Sequence, residues 1–279
     1  MQIHVTELLK DTIIMLAAKR TMLQRCQDDI KTLVLGSSHG EFGFDPAYCP
    51  DSFNMCCQSQ DLKHSYFLYE KLLKSTPLLK NVVIFYSVFS SGNVMERSST
   101  EKEICPAINE LFNLNLEYQD GTLKMLSDNI KGRLDRVALD LGGFNGFMPK
   151  SEDSFMRESY GAVARANDHL KLAARDDANL YLIRIILLAK HVGHKVYVVI
   201  PPGRSDYKNA IDAQGVKPFA GLYDIIHNYK FDYKVDVLNC FNAGDFDDSY
   251  FGDFDHLIPS GEGVKLLSTR LHDLIEAGA

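Results

Sequence analysis

Apolar residues recur along this chain with two periods. Five short runs rich in β-branched and aromatic side chains, residues 31–36, 52–55, 81–87, 194–200 and 232–238, each open beside a polar or turn residue and predict strands. The first, third and fourth (KTLVLG, NVVIFYS and HKVYVVI) are nearly continuous in apolar character, as expected for strands of a parallel sheet covered on both faces. Between them the spacing becomes helical. Residues 61–74 carry Leu62, Tyr66, Leu68, Tyr69, Leu72 and Leu73, and residues 176–191 carry Leu180, Ile183, Leu187 and Leu188, so both predict crossover helices. A last helix opens at Pro259 and Ser260 and continues through Val264, Leu267, Leu271 and Leu274. Residues 8–23 form an amphipathic segment expected to pack on its own domain. Alternating strands and helices give an α/β three-layer sandwich, whose sites lie outside the carboxyl ends of the strands.

Residues 88–170 break this alternation. Residues 96–103 are rich in Ser and charge, helices are predicted near 106–112 and 123–137, and a glycine cluster (Gly142, Gly143 and Gly146) follows in LGGFNGFMPK. The cluster neither follows a strand nor opens a helix, so it fails the context required of a dinucleotide-binding turn. The chain reads as a single domain, 1–279, with 88–170 as a mainly helical insertion or lid.

Composition narrows the partners. A chain of 279 residues with 46% apolar and 24% charged positions is long enough for a large core without staples. With 30 Lys and Arg against 37 Asp and Glu, and no basic run, neither nucleic acid nor an anionic membrane surface is expected. Apolar runs stay far below the roughly 20 residues of a membrane span, and the run at 181–189 is interrupted by Arg184. The amino terminus shows no secretory pattern, and the six cysteines show no disulfide framework, so reduced thiols in a cytoplasm are expected. Cys49, Cys56 and Cys57 lack a CxxC pair or nearby His pair and read as buried thiols, so no metal and no cofactor is expected. The acidic run DFDDSYFGDFD at 245–255 has Tyr250 where a calcium loop needs glycine, and His256 where it needs glutamate. It reads as a solvated loop.

Two places carry candidate chemistry. TLVLGSSHG puts Ser37, Ser38 and His39 where the first strand turns into a loop, exposing a hydroxyl at the sheet edge. A neutral serine hydroxyl needs a base to become a nucleophile, and the base needs a group to fix its tautomer. FGDFDHLIPSGEGVKLL supplies Asp253, Asp255 and His256 ahead of the last helix, and the DxxH spacing of Asp253 and His256 lets one loop hold carboxylate and imidazole together. His39 adjoins the serine too closely in sequence for reactive geometry and reads as a loop or substrate-contact residue. Arg204 and Tyr207, just after the strand ending in Ile200 to Pro202, read first as structural residues.

On these blocks the chain resembles the SGNH hydrolase superfamily of GDSL-type esterases and acyltransferases. GSSH at Gly36 to His39 is similar to that family's nucleophile block, with Ser38 matching the nucleophile, and Asp253 with His256 matches its acid and base. FNMCCQS at Phe53 to Ser59 is similar to the block donating an oxyanion-hole amide, although the family usually has glycine near Ser59. In place of the family's GxND the chain has VFSSGN, with Asn93 the nearest amide. GSS in place of GDS, together with a long middle insertion, resembles members acting on cell-surface polysaccharides. The resemblance implies a flavodoxin-like parallel five-stranded sheet and a Ser38–His256–Asp253 triad, with Ser59 and Asn93 at the oxyanion. It further implies an esterase or O-acyltransferase acting on a carbohydrate or related small ester in bacterial surface-polysaccharide metabolism. Two rivals stand beside it. One is a silent binding module for a glycan or phosphorylated metabolite; the other is a phosphate-cradling GSSHG loop, which lacks a P-loop's lysine and spacing.

Overall fold

Side chains along each strand alternate between two cores. In β1 (Thr32–Gly36), Leu33 and Leu35 enter the larger core and Val34 the smaller one; in β3 (Asn81–Phe85), Val82 and Ile84 oppose Val83 and Phe85. In β4 (Lys195–Ile200), Val196, Val198 and Ile200 oppose Tyr197 and Val199. This period of two is the pleat of an extended chain, and it explains why these runs are apolar throughout: both faces are covered. With β2 (Ser52–Asn54) and β5 (Val235–Asn239), the strands form an all-parallel sheet in the order β2-β1-β3-β4-β5, the flavodoxin-like arrangement. The computed structural model describes residues 7–117, 144–148, 161–228 and 233–278.

Helices cover both faces. On the larger core lie α1 (Glu7–Cys26), α3 (Leu62–Leu72), α4 (Ile104–Phe112), α6 (Asn179–Val192), α7 (Ser205–Asp212) and α8 (Ala220–Asn228), with α1 against α4 and α3 against α6. On the smaller core, α9 (Glu262–Gly278) sets Val264, Leu267, Leu271 and Ile275 against the sheet and touches the short α2 (Ser38–Gly43). Lys19 of α1 is buried and donates from Nζ to the carbonyls of Asn54 at 3.1 Å and Cys56 at 2.5 Å, tying the helix to the end of β2.

Several boundaries differ from expectation for local reasons. The last helix begins at Glu262, not at Pro259, because Ser260 takes φ +65° and the Gly261 amide closes a turn on Ile258. α6 starts at Asn179 after Asp176 turns left-handed at φ +52°. β3 ends at Phe85, two residues early, where the Ser87 amide turns to the Ser90 hydroxyl. The predicted helix at 123–137, together with Gly142, Gly143 and the start of the fifth strand at Asp232, lies outside the described residues. Within the expected insertion, Val88, Met95, Ile104, Ile108 and Phe112 belong to the larger core. Gly146, at φ +84°, sits in a turn bridged by Phe144 and Phe147, and a Cβ there would meet the Asn54 carbonyl at 2.2 Å. The Asn145 carbonyl accepts the Asn54 amide at 2.8 Å, so this turn covers the outer edge of β2. No helix of the described residues is long and apolar enough to cross a membrane.

Candidate active site

The nucleophile candidate is placed by a backbone constraint. β1 ends at Gly36 with φ +146°, where a Cβ would come within 2.7 Å of the Phe85 Cβ, so no larger residue fits the turn. The chain passes Ser37 and opens α2 at once, leaving Ser38 as its first residue above the carboxyl edge of the sheet.

From the other side, the loop between β5 and α9 brings the base. Ser38 Oγ donates to His256 Nε2 at 2.8 Å, and His256 Nδ1 donates to Asp253 Oδ2 at 2.8 Å. The other Asp253 oxygen accepts the amides of Asp255 at 3.0 Å and His256 at 2.8 Å, so the DxxH loop is wound around that carboxylate. This fixes the neutral imidazole with its proton on Nδ1 and its lone pair facing the serine. Burial pulls the His256 pKa down, but Asp255 and Asp253 outweigh it and the pKa ends above its ordinary value. Asp253 is likewise pushed up by burial and carried below the usual carboxylate range by His256.

A second cluster stands beside this relay. The side chain of Asp255 is 1% exposed and receives a two-pronged contact from Arg165, Nε to Oδ1 and Nη2 to Oδ2, each at 3.1 Å. His39 Nε2 donates to Asp255 Oδ2 at 3.1 Å, which leaves His39 Nδ1 to accept from the Ser87 hydroxyl at 3.0 Å. His169 Nδ1 lies 3.7 Å from the same carboxylate and 2.7 Å from the Tyr207 hydroxyl. The His39 and His256 rings stack with centroids 4.6 Å apart. Burial would raise the Asp255 pKa, yet the charge of His256 and the hydrogen bond from His39 hold it well below its usual range. Burial lowers His39, and lowers His169 to about 3, so both rings are neutral near pH 7.

The sequence identified Asp255 beside His256 without a role and missed Arg165 and His169. Those two lie one turn apart on α5 (Ala162–Ala173), so they share a helix face, which is a signal visible in the chain only once that helix is placed. Arg204 pairs with Asp206 and lies 4.5 Å over the Phe254 ring, and Tyr207 is buried against His169, so both brace the site loop. The run at 245–255 is more embedded than a solvated loop, with Phe246, Phe251 and Phe254 buried.

Ser59 and Asn93 are brought together: Asn93 Nδ2 donates to the Ser59 carbonyl at 3.0 Å. Ser59 has φ +60°, the left-handed region that favours glycine. Asp61 locks the same loops by accepting the Met95 amide at 2.8 Å. His39, Asp255 and His256 offer three ligand atoms within 4.8 Å of one another. They do not suit a metal ion, because His39 and His256 already engage protein partners and the Arg165 guanidinium occupies the place of a cation at Asp255. No disulfide joins any of the six cysteines, and five of them, Cys49, Cys56 and Cys57 included, are buried. Comparison with known protein families, curated proteins and solved structures finds no match for this chain.

Proposed function

We propose that this protein is an SGNH-type serine esterase or O-acyltransferase acting on a carbohydrate or related small ester. The observation that carries the reading is the continuous relay from Ser38 Oγ through His256 to Asp253, with both links at 2.8 Å. In this mechanism Ser38 Oγ attacks the acyl carbonyl while its proton passes to His256 Nε2, and Asp253 stabilises the imidazolium that forms. The imidazolium then protonates the departing alkoxide, leaving an acyl ester on Ser38. A water or sugar hydroxyl, deprotonated by the same nitrogen, attacks that ester, and Ser38 departs with the proton restored. Amides of Ser38 and Ser59, with the second N–H of the Asn93 side chain, are the proposed donors to the oxyanion. The carbohydrate assignment and the link to bacterial surface polysaccharide rest on the GSS-type resemblance.

The test is turnover of p-nitrophenyl acetate and of O-acetylated oligosaccharides by the purified protein. Release of acetate, or its transfer to an added sugar, that disappears in Ser38→Ala supports the reading. Equal rates in wild type and Ser38→Ala would refute it, and glycan binding without turnover would favour a silent binding module.

A further inference from the structure

His256 has two carboxylates within reach, and only one belongs to the relay described above. Asp253 Oδ2 lies 2.8 Å from His256 Nδ1 and Asp255 Oδ1 lies 3.6 Å from the same atom. Their settings differ, with side-chain exposures of 24% for Asp253 and 1% for Asp255. Water therefore screens the first more than the second, and a charge held in the drier setting acts more strongly over the same distance. Asp255 is also aimed: Arg165 clamps both of its oxygens and the stacked His39 ring holds Oδ2, which leaves Oδ1 turned towards His256.

We propose that Asp255 is a second carboxylate of the Ser38–His256 relay, a positioning residue that stabilises the His256 imidazolium with Asp253 and accepts the hydrogen bond of Nδ1–H when Asp253 is lost. The proposal rests on the esterase reading for its catalytic consequence. The groups facing His256 are Asp253, Asp255, Arg165, His39 and His169, with the Phe42 ring set edge-on and its centroid 5.6 Å away. With His39 and His169 neutral, the two carboxylates and Arg165 leave one net negative charge, which the imidazolium balances. Removing the charge of Asp255 would set the imidazolium beside an uncompensated Arg165 instead. Both carboxylates act on His256 in the direction that raises its pKa.

The experiment follows the His256 ring by 15N–1H NMR and the rate of Ser38 labelling by a fluorophosphonate, from pH 4 to 9. The proteins are wild type, Asp255→Asn, Asp253→Ser and the double variant; serine at 253 keeps an acceptor for the loop amides without offering an N–H to His256. Asp255→Asn should move the His256 midpoint and the acid limb of labelling to lower pH. Asp253→Ser should slow labelling about 10- to 100-fold and the double variant about 10⁴-fold, the loss expected of a triad without its carboxylate. An unmoved midpoint in Asp255→Asn, or equal losses in Asp253→Ser and the double variant, overturns the proposal. Should Asp255→Asn fail to fold, Arg165→Met removes the opposing cation and should raise the midpoint; an unchanged or lower one also overturns it. If wild-type Ser38 never labels, the esterase reading fails, and the NMR titration still decides whether Asp255 charges His256.

Discussion

Two serine–histidine–aspartate arrays lie side by side in this protein, and they are wired in opposite directions. In one, Ser38 faces His256 Nε2 and Asp253 faces Nδ1. In the other, Ser87 faces His39 Nδ1 and Asp255 faces Nε2, with Arg165 clamped on the carboxylate. The first ends on Asp253, a carboxylate 24% exposed in the loop between β5 and α9. The second is closed at its acid end by a permanent cation, and its serine is 1% exposed. The same three residue types are therefore held in two different settings, one with a partly exposed carboxylate and one with a buried carboxylate paired to a cation.

The sharpest way to break this contrast is to remove each serine. Ser38→Ala should lower kcat/KM on the order of 10⁶-fold, as losing the nucleophile of a triad does. Ser87→Ala should keep activity within about 10-fold and lose about 1 kcal/mol of stability for one buried hydrogen bond. A large activity loss in Ser87→Ala with an intact fold would make the second array reactive too.

Removing the carboxylates should reverse the order in stability. Asp255→Ala strands a buried guanidinium contact and two histidine contacts and should cost about 3–5 kcal/mol in urea unfolding. Asp253→Ala loses a partly hydrated cap and should cost about 1 kcal/mol. Equal costs would show that the two carboxylates are alike in solvation.

The smallest effect is the pH dependence of stability, and its sign follows from the two shifts. The Asp255 pKa in the fold lies well below 3.8, so its stabilisation is complete above that value and is lost as pH falls towards the folded one. The His256 pKa is raised above 6.5, so its contribution is complete below that value and is lost as pH rises through the folded one. Urea midpoints should therefore be highest between these limits, and Asp255→Asn should flatten the slope on both sides. A wild-type slope preserved in Asp255→Asn would separate Asp255 from both effects.

The Ser38 array was more legible in the sequence than the Ser87 array, for a physical reason. Ser38 follows a five-residue apolar strand, and Asp253 and His256 share one turn of loop, so short-range geometry fixes them. The choice of Asp253 over Asp255 as the near carboxylate is made by two main-chain amides that the DxxH spacing brings to Asp253. Arg165 meets Asp255 across 90 residues, and Ser87 meets His39 across 48, so only the folded sheet and α5 bring these partners together. The strands were legible because double-sided burial makes them apolar throughout. The start of α9 was not, because a left-handed Ser260 interrupts an otherwise sound helix signal.

The most direct test of the account is the intact mass of the protein after treatment with a fluorophosphonate, beside Ser38→Ala and His256→Ala. Wild type should carry a single adduct that is absent from both variants. No adduct on folded wild type, or an adduct that persists in Ser38→Ala, would contradict it.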